Sequence, residues 1–368
     1  MHTFHFRFWP LCAALVLALA GCSDDQNTDN GESTAKSAEP PEYPVTWRFA
    51  LEEIEGSVQH AYAEALKERI EKRSDGKILM DVFPYGSLGT STQLTELVQN
   101  GSVDLAFASP GHLADKVPEV GIFTLHFVLP EDTSVTRQLL ASPDLISLFD
   151  QPYASQNMKL LGFVPEGWMA WTADKALRTP EDFQGFRIRT MTSEIAEEAY
   201  RAYGAEPSQI PYSQVYSDLQ LRKIDGQSNP VFAIEEMDFY EVQSTLTDAR
   251  PAQFVSSVIS NHEWYSSLPV NQQQWLDNAL KDVAEIAWET QEELNRTRLQ
   301  KMLEEAQLSV VRLTDEEREA FRAASMSVRD IYLERTGESG QRIMGTLLQL
   351  IEELEAKSLQ PADSGNED

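Results

Sequence analysis

The sequence predicts an α/β fold of about two domains with one helix long enough to span both. The chain has 368 residues, more than the ~250–300 at which one hydrophobic core stops growing. Strand-like runs alternate with segments of helical spacing, which is typical of α/β proteins. A third observation is the long segment after Pro269 that no proline or glycine interrupts.

The strand-like and helix-like segments follow one another from residue 45 onward. Val45–Leu51 alternates like a strand, and Gly56–Arg73 repeats its apolar residues at helical spacing. Further strands are predicted at Ile78–Phe83, Val103–Ala108, Lys159–Val164, Met169–Thr172, Phe186–Met191, Phe254–Ser260 and Leu308–Leu313, and a short helix at Thr92–Asn100.

The segment from Pro269 to about Gln307 predicts the longest helix. Its apolar residues recur at helical spacing, at Leu276, Leu280, Val283 and Ala287. A continuous helix of this length would measure ~55 Å at 1.5 Å per residue, so it would lie along two lobes. The alternative is two shorter helices with a bend near Asn295.

The N-terminus predicts export. Residues 8–20 are apolar but shorter than the ~20 residues that a membrane-spanning helix needs, as in a signal peptide. Leu19-Ala20-Gly21-Cys22 resembles a lipoprotein cleavage site, so we expect a lipoprotein signal peptide at 1–21, lipidation of Cys22 and a membrane-anchored protein in the bacterial periplasm. The alternative is an ordinary signal peptide with a chance cysteine. Residues 22–45 and 358–368 are polar and are expected to be a disordered tether and tail.

Composition excludes several functions. The 30 Lys and Arg residues against 59 Asp and Glu residues give a net charge of −29, which disfavours nucleic-acid binding and favours a soluble monomer. We find no nucleotide-binding loop and no serine elbow, and expect no cofactor. The four histidines outside the predicted signal peptide are scattered, which argues against a metal site and makes an enzyme the weaker hypothesis; they are His60, His112, His126 and His262.

Two segments are candidates for ligand binding. Arg187 and Arg189 stand two residues apart on a predicted strand and so share a face, where a guanidinium can bind a carboxylate. The alternative is that both arginines are solvated and pair with neighbouring acids. Asp225–Pro230 has the composition of a turn, in which Asn229 could present its amide to a ligand.

These two segments belong to a wider resemblance that covers about residues 46–357. The matching segments are 85–89 (YGSLG), 100–104 (NGSVD), 182–190 (DFQGFRIRT), 211–216 (PYSQVY), 225–230 (DGQSNP), 239–242 (FYEV) and 267–269 (SLP). Their order and spacing resemble the substrate-binding proteins of tripartite ATP-independent periplasmic (TRAP) transporters.

The resemblance implies a periplasmic-binding-protein-like architecture. Two α/β domains would be joined by crossing strands, with a cleft between them and a long helix along both. Residues 46–166 plus 255–294 would form domain I, and 167–254 plus 295–357 domain II. The implied function is capture of a small carboxylate or zwitterion for ion-driven uptake by membrane subunits.

The resemblance also assigns site residues. Arg189 matches the arginine that binds the ligand's carboxylate, Asn229 a pocket asparagine, and Tyr212 an aromatic position. Arg187 matches a position that is often basic without binding the carboxylate. Met169 departs from members with a second arginine there, which argues against ligands that need two guanidinium groups.

Within the family, segments 47–56 (WRFALEEIEG), 165–167 (PEG) and 188–192 (IRTMT) look most like ectoine-binding members. There an acid matching Glu53 faces the ligand's cationic ring, and an aromatic matching Phe254 packs on it. A histidine, His112, stands where an aromatic is expected, and Tyr212 stands where a tryptophan is expected, which argues against ectoine itself. Trp168 could line the cleft or pack in the hinge. Glu53 could instead complement the dipole of the helix that follows it.

Two other functions remain open from the sequence. The cleft could belong to a periplasmic lyase or isomerase with Glu53 as the base, or to a ligand-sensing partner of a membrane receptor.

Overall fold

The structure is a computed structural model that describes residues 44–358. The predicted signal peptide, Cys22, the tether up to residue 43 and tail residues 359–368 lie outside the described residues. No helix in the described range is both long enough and apolar enough to cross a membrane.

Ten strands join in one mixed sheet. They are β1 (Val45–Ala50), β2 (Ile78–Phe83), β3 (Leu105–Ala108), β4 (Met158–Ala173), β5 (Arg187–Thr190), β6 (Glu206–Gln209), β7 (Gly226–Pro230), β8 (Thr245–Asp248), β9 (Gln253–Asn261) and β10 (Ser309–Arg312). The spatial order is β2-β1-β3-β9-β4-β7-β5-β6, and β8 pairs with both β4 and β10.

The described part of the chain contains thirteen α-helices. They are α1 (Val58–Arg73), α2 (Ser91–Gln99), α3 (Pro110–Leu113), α4 (Thr133–Leu140), α5 (Pro143–Ile146), α6 (Asp150–Ala154), α7 (Glu194–Ala202), α8 (Val215–Gln220), α9 (Val231–Glu236), α10 (His262–Ser267), α11 (Val270–Glu305), α12 (Asp315–Ser325) and α13 (Val328–Ser358).

Strand β4 divides the sheet into two lobes. Its residues up to Trp168 pair with β9, whereas Met169–Ala173 pair with β7. We call β1, β2, β3, β9 and the first part of β4 lobe 1, and the remaining strands lobe 2. A register shift between Pro165 and Gly167 marks the crossing, where Gly167 has a φ of +135° that favours glycine. The predicted crossing strands are confirmed, and the two strands predicted within β4 are one.

Helix α11 confirms the predicted long helix. It runs 36 residues without a break, about 54 Å at 1.5 Å per residue. Val283 packs in the core of lobe 1 and Met302 in that of lobe 2. The alternative bend near Asn295 is wrong, because the Asn295 amide instead donates to the Glu166 carbonyl (2.9 Å) and accepts from the Phe232 N–H (3.1 Å).

Two segments differ from the expectations. Asp225–Pro230, expected to be a turn, is mostly strand β7, which is buried because it pairs with β4 and β5 on its two sides. Helix α13 packs into a lobe 1 core through Tyr332, Ile343 and Leu347. The family resemblance, in contrast, predicts that residues 295–357 belong to domain II. The domain boundaries themselves stay a prediction.

Candidate functional site

The two lobes meet over a buried cavity with two compartments that share Arg189, Met191 and Phe254. The acidic compartment, of about 30 Å³, is lined by four more of the predicted residues: Glu53, His112, Tyr212 and Asn229. The inner compartment, of about 40 Å³, is lined by Phe123, Met169, Thr190 and Gln253. Seven of the eight predicted ligand-binding residues therefore line one cavity.

Arg189 is the central charge of the cavity. Strand β5 places it between the compartments, and only 1% of the residue is exposed. Its Nε donates to the Ile210 carbonyl at 2.9 Å, and no carboxylate within residues 44–358 forms an ion pair with it. Burial lowers the pKa of Arg189 to about 10, and the group remains a cation at neutral pH. A buried guanidinium without a counter-ion is a site for an anionic ligand.

Arg187, two residues earlier on the same strand, has a different environment. Its Nε lies 3.0 Å from Asp225 Oδ2, and the ion pair stays partly exposed to solvent. The sequence alternative of a solvated arginine paired with an acid is therefore correct for Arg187 and wrong for Arg189.

Aromatic and amide side chains surround the guanidinium. The Tyr212 ring centroid lies 5.9 Å from Arg189 Cζ, and the Tyr212 hydroxyl donates to the Ala233 carbonyl at 3.1 Å. Phe254 is half-buried on β9 and borders both compartments. The Asn229 amide is 5% exposed and bonds to the Gln227 side chain, which fixes its orientation.

Glu53 faces a second buried carboxyl that the sequence did not reveal. Glu53 accepts a hydrogen bond from the Gln59 N–H (3.3 Å), and the Gln59 side chain donates to Glu166 at 3.1 Å. Burial raises the pKa of both acids, and their proximity raises that of Glu53 further. Burial and the like charge of a neighbouring carboxyl both favour the protonated form of such a pair.

Two more acids border this pair. Glu52 accepts a hydrogen bond from the Ser109 N–H at 2.8 Å, and burial raises its pKa to about 8. Burial also raises the pKa of Glu236 to about 8. Glu52 and Glu53, which line the same compartment as Arg189, thus belong to a group of four neighbouring carboxyls with raised pKa values.

His112 is neutral in this setting. Burial, with Arg189 nearby, lowers its pKa to about 3, and its Nδ1 lies 3.3 Å from Thr192 Oγ1. It offers the ligand an uncharged ring.

Trp168 is the one predicted ligand-binding residue that lies outside the cavity, so its prediction is wrong. It lines neither compartment but a groove beside α11, with Gln291 and Asn295. Successive residues of a strand point to opposite faces, so Met169 in the cavity requires Trp168 to point away from it.

Contacts between the lobes close the cleft over the site. The Tyr85 ring of lobe 1 meets the Tyr212 ring of lobe 2 edge-on, with centroids 5.9 Å apart. Thr192 of lobe 2 donates to the Gly111 carbonyl of lobe 1 at 2.9 Å. A Cβ at Gly111 would lie 2.7 Å from that of Met191, closer than packed atoms allow.

We therefore expect Gly111→Ala to weaken ligand binding roughly tenfold, since overpacking of about 1–3 kcal/mol would hold the lobes apart. Calorimetric titration checks this. Gly345→Ala is the matched control, because Gly345 is helical and its Cβ would meet open space. Equal affinities for both variants would remove Gly111 from the closure contact.

The fold and the site together define a class of protein. Two lobes that hinge on crossing strands enclose a buried, unpaired arginine at a cavity for a small anionic solute. Such an arrangement is that of a solute-binding protein that closes on its ligand.

Comparison with known proteins identifies the family. The profile of the bacterial extracellular solute-binding proteins, family 7, matches residues 49–335. The chain is 34% identical to the ectoine-binding periplasmic protein TeaA of Halomonas elongata (82% of this chain, 89% of that protein). It is 35% identical to the ectoine/5-hydroxyectoine-binding periplasmic protein UehA of Ruegeria pomeroyi (81% and 88%). A TRAP periplasmic solute-binding protein of Marinobacter aquaeolei, solved in an open, ligand-free form, matches with a TM-score of 0.79 at 58% identity (82% and 99%).

The chain belongs to this family, the solute-binding proteins of TRAP transporters. By its family it is the periplasmic solute-binding component of a TRAP transporter.

Proposed function

We propose that the ligand is a small zwitterion whose carboxylate binds Arg189 and whose cationic group binds Glu53. The observation that carries this proposal is one compartment lined both by an unpaired buried guanidinium, Arg189, and by two buried carboxyls, Glu52 and Glu53. A plain carboxylate would pair with the guanidinium and leave the carboxyls without a partner.

The carboxylate end of the ligand supplies what Arg189 lacks. The free protein bears the cost of desolvating this cation, and a bound carboxylate recovers it through a charge-assisted hydrogen bond. Closure of the lobes removes water and strengthens the interaction, because a lower dielectric screens charge less.

The cationic end of the ligand would take the place of a proton on the Glu53 and Glu166 carboxyls. Burial raises the pKa values of Glu53 and Glu166 in the free protein. A ligand cation beside Glu53 would stabilise both carboxylates, so binding would release a proton. The half-buried rings of Tyr212 and Phe254 can pack against the ligand between the charges.

The proteins TeaA and UehA bind ectoines, which have this charge pattern. A thermal-shift screen of the purified chain tests the class with ectoine, 5-hydroxyectoine, betaine, C4-dicarboxylates and 2-oxo acids. A ligand at a concentration of 100 times its Kd should stabilise the folded protein by ~2.7 kcal/mol and raise its Tm by roughly 1–4 °C. A shift with plain acids and none with zwitterions would contradict the proposal.

The proposal predicts opposite pH dependences for binding and stability. A protonated carboxyl cannot pair with a cation, so the affinity for a zwitterion should rise from about pH 6 to about pH 9. The pKa values of Glu52 and Glu236 are raised to about 8, so the folded chain binds more protons than the unfolded one. The free energy of unfolding of the free protein should therefore fall between about pH 4.5 and pH 8.

Calorimetric titrations and melting curves across this range check both slopes. The affinity for a plain carboxylate should fall as pH rises, since the cavity becomes more negative. A zwitterion affinity that does not change with pH would contradict the role of the buried carboxyls.

The protein is proposed to release its ligand chemically unchanged, as a carrier without catalysis. Mass spectrometry of ligand recovered after prolonged incubation tests this, and a converted product would favour the lyase or isomerase alternative. Loss of solute uptake in a deletion strain would argue against a purely sensory role.

Lipidation of Cys22 and a monomeric state complete the proposal. Leu19-Ala20-Gly21-Cys22 supports lipidation, and the net charge of −29 supports a monomer. Mass spectrometry of the membrane-extracted protein should show a diacylglyceryl group that Cys22→Ser removes. A soluble, unmodified wild-type protein would contradict the anchor, and light scattering reports the monomer.

A further inference from the structure

The inner compartment extends the cavity beyond Arg189. It shares Arg189, Met191 and Phe254 with the acidic compartment, so a carboxylate on Arg189 would lie at the junction of the two. Its volume of about 40 Å³ has room for a group the size of a water molecule, which takes about 30 Å³ in the liquid. A short substituent next to the carboxylate could enter it.

The walls of this compartment exclude a second charge. They are largely apolar, with Phe123 and Met169 among them, and Arg189 is the one charged side chain that the described residues contribute. His126 is neutral, since burial lowers its pKa to about 3, and its Nδ1 is occupied by the Tyr203 hydroxyl at 2.7 Å. A second carboxylate would be buried here without a cation of its own.

Three polar side chains of the compartment, Thr190, Ser228 and Gln253, have a buried oxygen without a hydrogen-bond partner. Thr190 Oγ1 and Gln253 Oε1 are buried and unpaired, and each residue is 4% exposed. Tyr200, which also lines the compartment, already accepts from Trp171 Nε1 at 3.1 Å. Buried polar atoms without partners are costly. A hydroxyl group can accept from the threonine and donate to the glutamine at once.

We propose that the inner compartment receives an uncharged, hydroxyl-bearing substituent, located on the ligand carbon that bears the carboxylate or on the next one. The inference rests on the proposed binding of a carboxylate to Arg189. It does not depend on the cation that binds Glu53.

The experiment compares two ligand pairs that differ by one hydroxyl: ectoine with 5-hydroxyectoine, and propionate with lactate. Calorimetry on the wild-type chain should show the hydroxylated member binding roughly tenfold more tightly. Thr190→Val, which keeps the side-chain shape, should abolish this preference by weakening the hydroxylated member alone. Thr95→Val is the matched control, because Thr95 Oγ1 is equally buried and unpaired but lines neither compartment.

Equal affinities within both pairs would overturn the inference, as would a Thr190→Val variant that weakens both members equally. If lactate bound more tightly than propionate and neither ectoine bound, the result would support the proposed role of the inner compartment. It would contradict the proposal that the ligand is a zwitterion. Absence of binding for all four ligands would contradict both proposals.

Discussion

Arg189→Ala should raise the Kd for the ligand roughly 100-fold, equivalent to about 3 kcal/mol. Truncating one partner of a buried charge pair costs about 2–5 kcal/mol, because the other charge remains desolvated. The melting temperature of the free protein should change by less than about 4 °C, since the guanidinium has no counter-ion in residues 44–358 to lose. Calorimetric titration and thermal melting of the same variant separate binding from folding.

Arg187→Ala is the matched control for Arg189→Ala. It removes a guanidinium from the same strand, but one that is ion-paired with Asp225 and partly exposed. Its ligand affinity should equal that of the wild type. A near-native affinity for Arg189→Ala, or an equal loss for both variants, would remove Arg189 from the site.

Glu53→Gln should separate zwitterions from plain carboxylates. The amide keeps the shape and can still accept from the Gln59 N–H, but it cannot neutralise a cation. The Kd for a zwitterion should rise about 30-fold, or about 2 kcal/mol. The affinity for a plain carboxylate should hold or improve, because a negative charge is removed from the cavity. Titration of one variant with both ligands measures the difference.

Glu55→Gln provides the control, because Glu55 is exposed two residues along the same loop. It should bind both ligands like the wild type. If Glu53→Gln weakened both ligands equally, Glu53 would be a structural charge at the start of α1, which was the alternative from the sequence.

Local pattern was enough to predict much of the fold. Strand β2 has the predicted bounds, and the long helix α11 differs from its prediction by about two residues at its end. Gly76 and Pro84 bound strand β2, and Pro269 precedes helix α11, whose apolar residues recur at helical spacing. The burial of Arg189, in contrast, followed from the family resemblance, since Arg187 has the same local pattern.

Features that depend on contacts between distant residues could not be predicted from the sequence. Strand β7 has the composition of a turn because its polar residues lie at the cavity between two partner strands. Glu166 is a lone acid in the sequence, and only the crossing of β4 brings it to Glu53 and Gln59. The direction of Trp168 depends on the register shift after Pro165, which no local pattern reveals.

The most direct test of the two-charge cavity is calorimetric titration of the wild-type chain with two ligands of similar size at neutral pH. One is ectoine, with a carboxylate and a cationic ring, and the other is cyclohexanecarboxylate, with a carboxylate alone. The account predicts at least about 30-fold tighter binding of the zwitterion, the value of the Glu53 interaction. Equal or tighter binding of cyclohexanecarboxylate would contradict it and leave a receptor for organic acids.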